Sequence, residues 1–349
     1  SKIDPRVRAG YIFNTTITGI ESADALLIVG SNPRWEAAVL NARIRKRFLM
    51  GNFPIGVIGE KLELTYDYEH LGTGPDALQK LAGGRTDFAK KLKAATRPMI
   101  IVGQGALARD DGAAIHALTR KIADTFKMVD KSSGWNGYNV LHTAAARVGG
   151  LDIDFVPQEG GLDTAGIIAA AGKGDIEAVY LLGADEIDMH ALGDAFVIYQ
   201  GHHGDNGAHH ADVILPAATY TEKSGTYVNT EGRVQLGSRA AFAPGEARED
   251  WAILRALSDV LGKKLPYDSL TALRAALYAE YPHFAEIDMI STGDSSAIAA
   301  IAKKAGRMNK SAFASAVKDF YLTNPIARAS AVMAECSALA KTAKAVAAE

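Results

Sequence analysis

The sequence has a single cysteine, no long apolar run and no excess of charge of one sign. Because Cys336 is alone, neither an intramolecular disulfide nor an iron–sulfur cluster with four thiolate ligands can form within the chain. No apolar stretch approaches the roughly 20 residues that cross a bilayer, and the amino end, SKIDPRVRAG, has no signal segment, so we expect a soluble chain without membrane insertion. Lys and Arg number 38 against 40 Asp and Glu, which excludes a field that would attract nucleic acid.

The lone thiol lies in an alanine-rich helical pattern. We therefore predict that Cys336 is a small packed side chain without chemistry of its own. The sequence also begins at Ser1, without an initiator methionine, which indicates a carboxyl-terminal portion of a longer polypeptide.

Three short apolar runs end at glycine and precede helical patterns: ALLIVG at 25–30, MIIVG at 99–103 and AVYLLG at 178–183. Strand, glycine turn and helix in this order are typical of a doubly wound parallel sheet. The 349 residues suffice for roughly two domains. The sequence thus predicts two α/β, Rossmann-like domains and a helical carboxyl-terminal extension, with bounds 1–130, 131–265 and 266–349, and with the polar stretch 131–137 as the first boundary.

The stretch ADVILPAATYTEKSGTYVNTEGRVQ, residues 211–235, departs most from ordinary core periodicity. We expect Val213 to Leu215 to form a strand that is covered on both faces and ended by Pro216. Asn229 to Gly232 then lies between two β-prone runs, which predicts a hairpin. Downstream, Asp250 is a predicted N-cap, and Gly262 fits the position past the end of the same helix.

The stretch 211–235, together with PGEAREDW at 244–251, resembles the molybdopterin oxidoreductase superfamily, which includes formate dehydrogenases and nitrate reductases. More narrowly, EKSGTYVNTEGRVQ at 222–235 is similar to the large iron–sulfur subunits, of the 75 kDa type, of respiratory NADH:quinone oxidoreductase, complex I, in alphaproteobacterial and mitochondrial forms, and so are two further stretches. They are YIFNTTITGIESADALLIVGSNPR at 11–34 and DFYLTNPIARASAVMAECSALA at 319–340.

The resemblance implies two parallel-sheet domains of the formate dehydrogenase type. It also implies that the parent subunit carries iron–sulfur clusters in an amino-terminal region absent from this sequence and takes part in proton-translocating NADH:quinone electron transfer. Other peripheral-arm subunits would then be the partners. The location would be the cytoplasmic side of the bacterial inner membrane or the matrix side of the mitochondrial one.

Two turns that echo each other, Gly30 to Pro33 and Gly183 to Glu186, follow strands at the edge where open α/β sheets bind ligands. In the molybdopterin enzymes the corresponding turns embrace the nucleotide tails of the pterin cofactor. The vestigial candidates for cofactor binding are Gly30, Asn32, Gly183 and Asp185. Because Asp185, Glu186 and Asp188 would repel a pyrophosphate, we predict structural turns and no cofactor in this portion.

Three weaker patterns leave alternatives open. Residues 103–108, GQGALA, fit a loose dinucleotide pattern with Asp130 as a possible ribose ligand, although a helix capped by Asp110 would start late for it. The loop 201–210 holds four histidines, for which a surface loop is favoured over a metal site. A final charged set could serve acid/base chemistry but more simply holds the hairpin: Glu222, Lys223, Asn229, Glu231 and Arg233.

We assign no catalytic residue and no metal ligand. No cysteine, selenocysteine or serine that would ligate molybdenum is identifiable, and helices replace the β-barrel domain that follows PGEARxDW in the active enzymes. The favoured hypothesis is a non-catalytic structural portion of a complex I subunit. The alternatives are a molybdenum or tungsten bis-pterin oxidoreductase fragment and an NAD(H)-binding module.

Overall fold

The chain folds into two compact units in the computed structural model, which describes residues 3–145, 147–303 and 306–346. The first unit runs through Phe155 and includes Val228–Val234 and Glu286–Lys318. The second consists of Val156–Tyr227, Gln235–Ala285 and the residues from Asp319 onward. These units differ from the predicted segments 1–130, 131–265 and 266–349, because the last third of the chain is shared between them.

The strands of the described ranges are short. They are β1 (Ala25–Val29), β2 (Ile55–Ile58), β3 (Glu69–Gly72), β4 (Pro98–Val102), β5 (Val129–Asp130), β6 (Trp135–Asn136), β7 (Tyr138–Val140), β8 (Ala178–Leu182), β9 (Phe196–Gly201), β10 (Val213–Pro216), β11 (Gly225–Val228) and β12 (Val234–Gly237).

The predicted α-helix follows β1 and β4, whereas a short 3₁₀ helix, Met189–Leu192, follows β8. The same ranges contain thirteen α-helices. They are α1 (Pro33–Glu36), α2 (Ala38–Leu49), α3 (Pro75–Ala82), α4 (Asp87–Ala94), α5 (Gln104–Leu107), α6 (Gly112–Thr125), α7 (Arg147–Asp152), α8 (Thr164–Ala171), α9 (Asn206–His210), α10 (Asp250–Val260), α11 (Leu270–Glu280), α12 (Pro325–Arg328) and α13 (Ala331–Val346). Short 3₁₀ helices cover Arg8–Gly10, Thr18–Ser22, Met189–Leu192, Pro282–Ala285 and Ala297–Lys303.

The first unit contains a parallel sheet in the order β3-β2-β1-β4-β7. All five residues of β1 and all five of β4 are buried, because helices cover both faces of a doubly wound sheet. Leu26 lies opposite Ile55 on one side, and Ala25 lies opposite Pro98 on the other. The predicted α/β class with parallel sheets is confirmed.

The polar stretch 131–137 lies inside the first unit. It contains the turn after β5 and also β6 itself, which pairs antiparallel with β5, and β7 follows at once and joins the edge of the main sheet next to β4. A polar, glycine-containing sequence marks a turn equally well within a domain and between domains. This is why composition alone placed a boundary at a position where the chain continues into the same sheet.

The second unit contains a three-stranded parallel sheet in the order β10-β9-β8. The prediction that Val213 to Leu215 form a strand covered on both faces is wrong: Val213 is 39% and Ile214 49% exposed. β10 is an edge strand with a neighbour on one side only. An apolar run indicates that a segment forms a β-strand, but it does not show whether that strand lies in the centre or at the edge of a sheet.

The predicted hairpin is confirmed as β11 and β12, and Gly232 in its connection has a left-handed φ of 85°. The predicted N-cap of α10 is wrong, because Glu249 occupies that position. The carboxylate of Asp250 instead accepts hydrogen bonds from Gln200 and Lys223. Gly262 follows the helix with φ 69°, as predicted.

A buried ion pair connects distant parts of the first unit. Arg8 donates from Nε and Nη2 to both carboxylate oxygens of Asp152, at 2.8 and 2.9 Å, and the Tyr11 hydroxyl donates to the same carboxylate at 2.7 Å. The guanidinium also donates to the carbonyl oxygens of Gly232 and Ser291. Burial first, and then the charge of Asp152, raise the pKa of Tyr11.

None of the helices in the described ranges is long and apolar enough to cross a membrane.

We expect Asp152→Ala to lower the free energy of unfolding by about 3–5 kcal/mol, because it leaves a mostly buried guanidinium without its counter-charge. Urea unfolding with an unchanged m-value measures this loss. Asp87→Ala is the matched control. It breaks an ion pair with Lys90 in which both side chains are largely exposed, and it should change stability little. Equal losses in the two variants would contradict the role given to Asp152.

Candidate functional site

The two echoed turns lie at corresponding places, each directly after the carboxyl end of a parallel strand. Gly30 follows β1 with φ 58°, and Gly183 follows β8 with φ 60°. A Cβ atom at Gly30 would lie 2.6 Å from the backbone nitrogen of Ala106, so this position requires glycine for space as well as for conformation. The internal similarity seen in the sequence therefore has a structural counterpart.

The polar donors of the first turn are bound by the carboxylate of Glu36, which lies on α1 directly after the turn. The Ser31 hydroxyl donates to Glu36 Oε2 at 2.7 Å, and the backbone N–H of Asn32 donates to Glu36 Oε1 at 3.0 Å. These are donors that a phosphate would need at a strand-to-helix turn. The buried Oδ1 of Asn32 has no hydrogen-bond partner among the described residues, but it is an acceptor and would not attract an anion.

The acidic second turn is bound by an arginine from the carboxyl-terminal part of the same unit. Asp185 is 1% exposed, and its Oδ1 accepts from Arg328 Nη2 at 2.9 Å. Arg328 Nη1 donates to Glu186 at 3.3 Å, and its Nε donates to Asp205. The backbone N–H of Gly207 completes the shell of Asp185 at 3.2 Å.

Charge decides what this second turn can bind. Burial opposes ionisation of Asp205, but the hydrogen bonds from Arg328 and from the backbone of Asn206 outweigh it and hold the pKa of that carboxyl below its usual range. Three carboxylates therefore face one guanidinium, and the net charge of the cluster is negative. Neither this turn nor the first, with Glu36 already bound to its donors, fits a pyrophosphate.

The loose dinucleotide pattern at 103–108 is only partly supported by the geometry. α5 begins directly after Gly103, and α6 begins at Gly112 with Asp111, not Asp110, at the N-cap position. Asp130 lies in the β5–β6 hairpin, where its carboxylate accepts hydrogen bonds from the backbone and hydroxyl of Ser132 and from the Ser133 hydroxyl. A turn-capping carboxylate of this kind is not a free ribose ligand.

A cavity of about 620 Å³ adjoins this turn in the first unit, and His142 forms part of its lining. The His142 Nε2 lies 2.6 Å from the carbonyl oxygen of Tyr11, and Nδ1 lies 3.3 Å from the Gln104 amide nitrogen. A ring that donates through Nε2 and accepts at Nδ1 is neutral. Burial is the main reason that its pKa is lowered to about 4.

This histidine should make stability depend on pH. Because its folded pKa of about 4 lies below its ordinary value of 6.5, the unfolded chain binds the proton more tightly. The stabilisation from neutral, buried His142 is fully present above pH 6.5. As pH falls toward 4 the free energy of unfolding decreases, by up to about 1.4 kcal/mol per pH unit. Urea unfolding of His142→Gln should show a shallower slope between pH 6.5 and 4 than the parent chain. Equal slopes would contradict the burial argument.

The histidine-rich loop does not assemble a metal site. His202 Nδ1 lies 2.6 Å from His203 Nδ1, and burial, followed by the neighbouring His203, lowers the pKa of His202. His209 and His210 lie on α9. In the part of the chain that the structure describes, no group of three or more His, Cys, Asp or Glu side chains could hold a metal ion.

The five charged or polar residues around the hairpin are divided between the units and take part in structural contacts. In the second unit, Glu222 accepts from the backbone N–H of Thr219, and Lys223 pairs with Asp250. In the first unit, Asn229, Glu231 and Arg233 form the hydrogen bonds that close the turn between β11 and β12. Asn229 accepts from the backbone of Glu231 and Arg233, Glu231 accepts from the backbone of Ile17, and Glu231 pairs with Arg233 at 3.2 Å.

Sequence reasoning missed Glu36, His142 and Arg328. The available signal for Arg328 was the acidic turn itself, because a buried Asp185 needs a cation and none lies nearby in sequence. Glu36 could have been found from its place in the first turn of the helix after β1, where a carboxylate binds free N–H groups. No pattern around His142 indicates burial.

Comparison with known proteins shows the family to which the chain belongs. The molybdopterin oxidoreductase family model matches residues 2–260, and the model for the carboxyl-terminal part of the G-type subunits of NADH-ubiquinone oxidoreductase matches residues 286–336. The chain belongs to the molybdopterin oxidoreductase family. The second match confirms the predicted similarity to the large iron–sulfur subunits. The segment typical of those subunits, residues 286–336, follows the molybdopterin oxidoreductase domain.

Three relatives of this molybdopterin oxidoreductase family member cover 96% of its chain. They are the mitochondrial NADH-ubiquinone oxidoreductase 78 kDa subunit of Neurospora crassa (46% identical, 44% of the relative covered), the mitochondrial NADH dehydrogenase [ubiquinone] iron-sulfur protein 1 of Solanum tuberosum (45%, 44%) and the NADH-ubiquinone oxidoreductase 75 kDa subunit of Reclinomonas americana (43%, 47%). The chain thus spans about half the length of these relatives.

Proposed function

We propose that this chain is a non-catalytic structural portion of a complex I subunit. In this role it supports an electron-transferring iron–sulfur region and docks neighbouring subunits of the peripheral arm, on the matrix side or the bacterial cytoplasmic side of the membrane. It holds no cofactor, and the electron transfer in which it participates runs through the remainder of the parent subunit.

The observation that carries this proposal is the pair of family matches in one chain. A molybdopterin oxidoreductase domain is followed by the carboxyl-terminal segment of the G-type subunits, and the similarity to NADH-ubiquinone oxidoreductase subunits extends over 96% of the chain. A fragment of a molybdenum enzyme would not require the second segment. The relatives' names concern NADH and ubiquinone, and we extend that process to this chain as a proposal.

The geometry of the two turns supports the absence of a cofactor. A bis-pterin dinucleotide needs many compensating polar contacts, because binding immobilises a large ligand. Here Glu36 occupies the donors of the first turn, and the second turn carries a net negative charge around Arg328. The NAD(H) module is disfavoured at a different place, because the carboxylate of Asp130, its possible ribose ligand, is bound to Ser132 and Ser133.

One face of the second sheet supports docking. Leu182, Phe196 and Val213 share this face by register and are 45%, 46% and 39% exposed. On the opposite face Val179, Leu181, Val197 and Tyr199 lie in the core of the unit, whereas Ile214 of the edge strand is 49% exposed. In a doubly wound sheet helices cover both faces, so an apolar face left in contact with water is typical of an interaction surface.

Metal and nucleotide analysis of the purified chain tests the proposal directly. We expect no stoichiometric molybdenum or tungsten, no pterin fluorescence after oxidation, and no rise of melting temperature on titration with NADH. Stoichiometric metal with pterin would favour the bis-pterin enzyme. A concentration-dependent rise with NADH alone would favour the nucleotide-binding module.

The docking role predicts a selective effect of Phe196→Asp. A charge at this position should lower the fraction of the subunit recovered in the assembled complex, because an ionised side chain would be buried at the interface without a partner. Val39→Asp is the control, since Val39 is 85% exposed on α2 in the other unit. Native gel analysis of complexes that contain either variant measures the fraction. Normal assembly of Phe196→Asp would argue against this face.

A further inference from the structure

The carboxyl edge of the first sheet is covered by the stretch Asn309 to Ser315, which we call the edge segment. It contacts residues that follow three different strands. Phe313 N donates to Thr73 O after β3 at 2.8 Å, and Ser315 N donates to Glu60 Oε2 after β2 at 3.2 Å. Arg109, beyond β4, donates to the carbonyl oxygens of Ser311 and Ala312 at 3.0 and 3.1 Å.

The edge segment is anchored by charge and by burial as well as by these bonds. Asn309 N donates to Asp111 Oδ2 at 2.7 Å, and Asp111 is held in turn by both ends of the Arg109 fork. The hydrogen bond from Arg109 is the main reason that the pKa of Asp111 is lowered. Phe313 is fully buried, and the Arg109 guanidinium lies 5.4 Å from its ring centroid.

Glycine at position 105 is explained by this segment. A Cβ atom there would overlap the carbonyl oxygen of Ala314 and would lie 2.7 Å from that of Gly30. In a dinucleotide pattern a glycine at this place allows close approach of the ligand. In this chain the group that approaches closely is the protein's own backbone.

The carboxyl edge of the second sheet is occupied in a comparable way by one side chain. Arg328, 19% exposed, is surrounded by Asp185, Glu186 and Asp205. Asp185 and Asp205 are 1% and 17% exposed, so a nearby cation is needed to stabilise their ionised carboxylates. The guanidinium fork reaches all three carboxylates, which an ammonium group on a single atom could not do as well.

We propose that the carboxyl-terminal part of the chain is an intramolecular ligand for both sheets. The edge segment occupies the place at the carboxyl edge of the first sheet where a ligand would bind, and Arg328 occupies the corresponding place at the second sheet. The second edge is therefore a guanidinium-binding site that is occupied by a side chain of the same polypeptide. Contacts within each unit carry this proposal, independently of the proposed function. Metal analysis tests the proposed function, whereas substitutions at the two sheet edges test the intramolecular ligand.

Chemical rescue tests the second edge. In the full chain, Arg328→Ala should lower the melting temperature, and millimolar ethylguanidinium should restore part of the loss in a saturable way. Ethylammonium at the same concentration should restore less, and neither should raise the melting temperature of the parent chain. Arg248→Ala is the control, because Arg248 is 56% exposed and pairs with an exposed Glu246. It should show neither loss nor rescue.

A folded Arg328→Ala variant with the parental melting temperature, or without response to ethylguanidinium, would overturn the assignment. If that variant does not fold, Arg328→Lys provides the second measurement. Lysine retains the charge without the fork, so a lowered melting temperature supports the guanidinium site and an unchanged one overturns it.

Hydrogen exchange tests the first edge. Gly105→Ala should displace the edge segment and speed exchange of the Asn309, Phe313 and Ser315 amides by at least about tenfold, since these amides are bonded in the native unit. Gly150→Ala is the control in the same unit, because nothing lies within 4 Å of a Cβ at that position. Unchanged exchange of the three amides in Gly105→Ala would overturn this half of the inference.

Discussion

The pairing of polar groups at the carboxyl ends of parallel strands is the constraint on which this structure depends. Strand-to-helix turns gather there, and each brings backbone N–H groups and acidic or polar side chains that water or a ligand must otherwise satisfy. In this protein the partners come from the chain itself. Glu36 binds the donors of the first turn, and Arg328 binds the carboxylates of the second.

The same constraint explains how the glycines and acidic residues of the turns are compatible with a structural role. Gly30 and Gly105 are required for close packing of backbone on backbone. The ionised Asp185 is compatible with a stable fold only while Arg328 is present, because a buried carboxylate without a cation strongly destabilises the folded state. The polar groups of both turns are thus paired from within the chain, and the second sheet leaves Leu182, Phe196 and Val213 exposed on one face. This asymmetry is unusual for a parallel sheet and agrees with a role in assembly.

Sequence reasoning succeeded where structure follows from local pattern. The runs that became β1, β4 and β8, the glycines after them and the hairpin around Asn229 are all recognisable from periodicity and turn chemistry. It failed for β10, where an apolar run gave no sign of an edge position, and for Asp250, whose carboxylate pairs with Lys223 and Gln200 instead of capping its helix. In both cases the tertiary arrangement decided the outcome: β10 lacks a second neighbouring strand, and Asp250 has partners from elsewhere in the chain.

By itself, the sequence determined the strand and helix elements, the family resemblance, and the impossibility of a four-thiolate cluster with Cys336 alone. Only the tertiary structure decided which charges meet. Arg328 and Asp185 are 143 positions apart, and their contact depends on the path of the chain across a sheet edge. Periodicity reports the environment of a residue within a few turns of helix or strand, and an ion pair over that separation lies beyond its range.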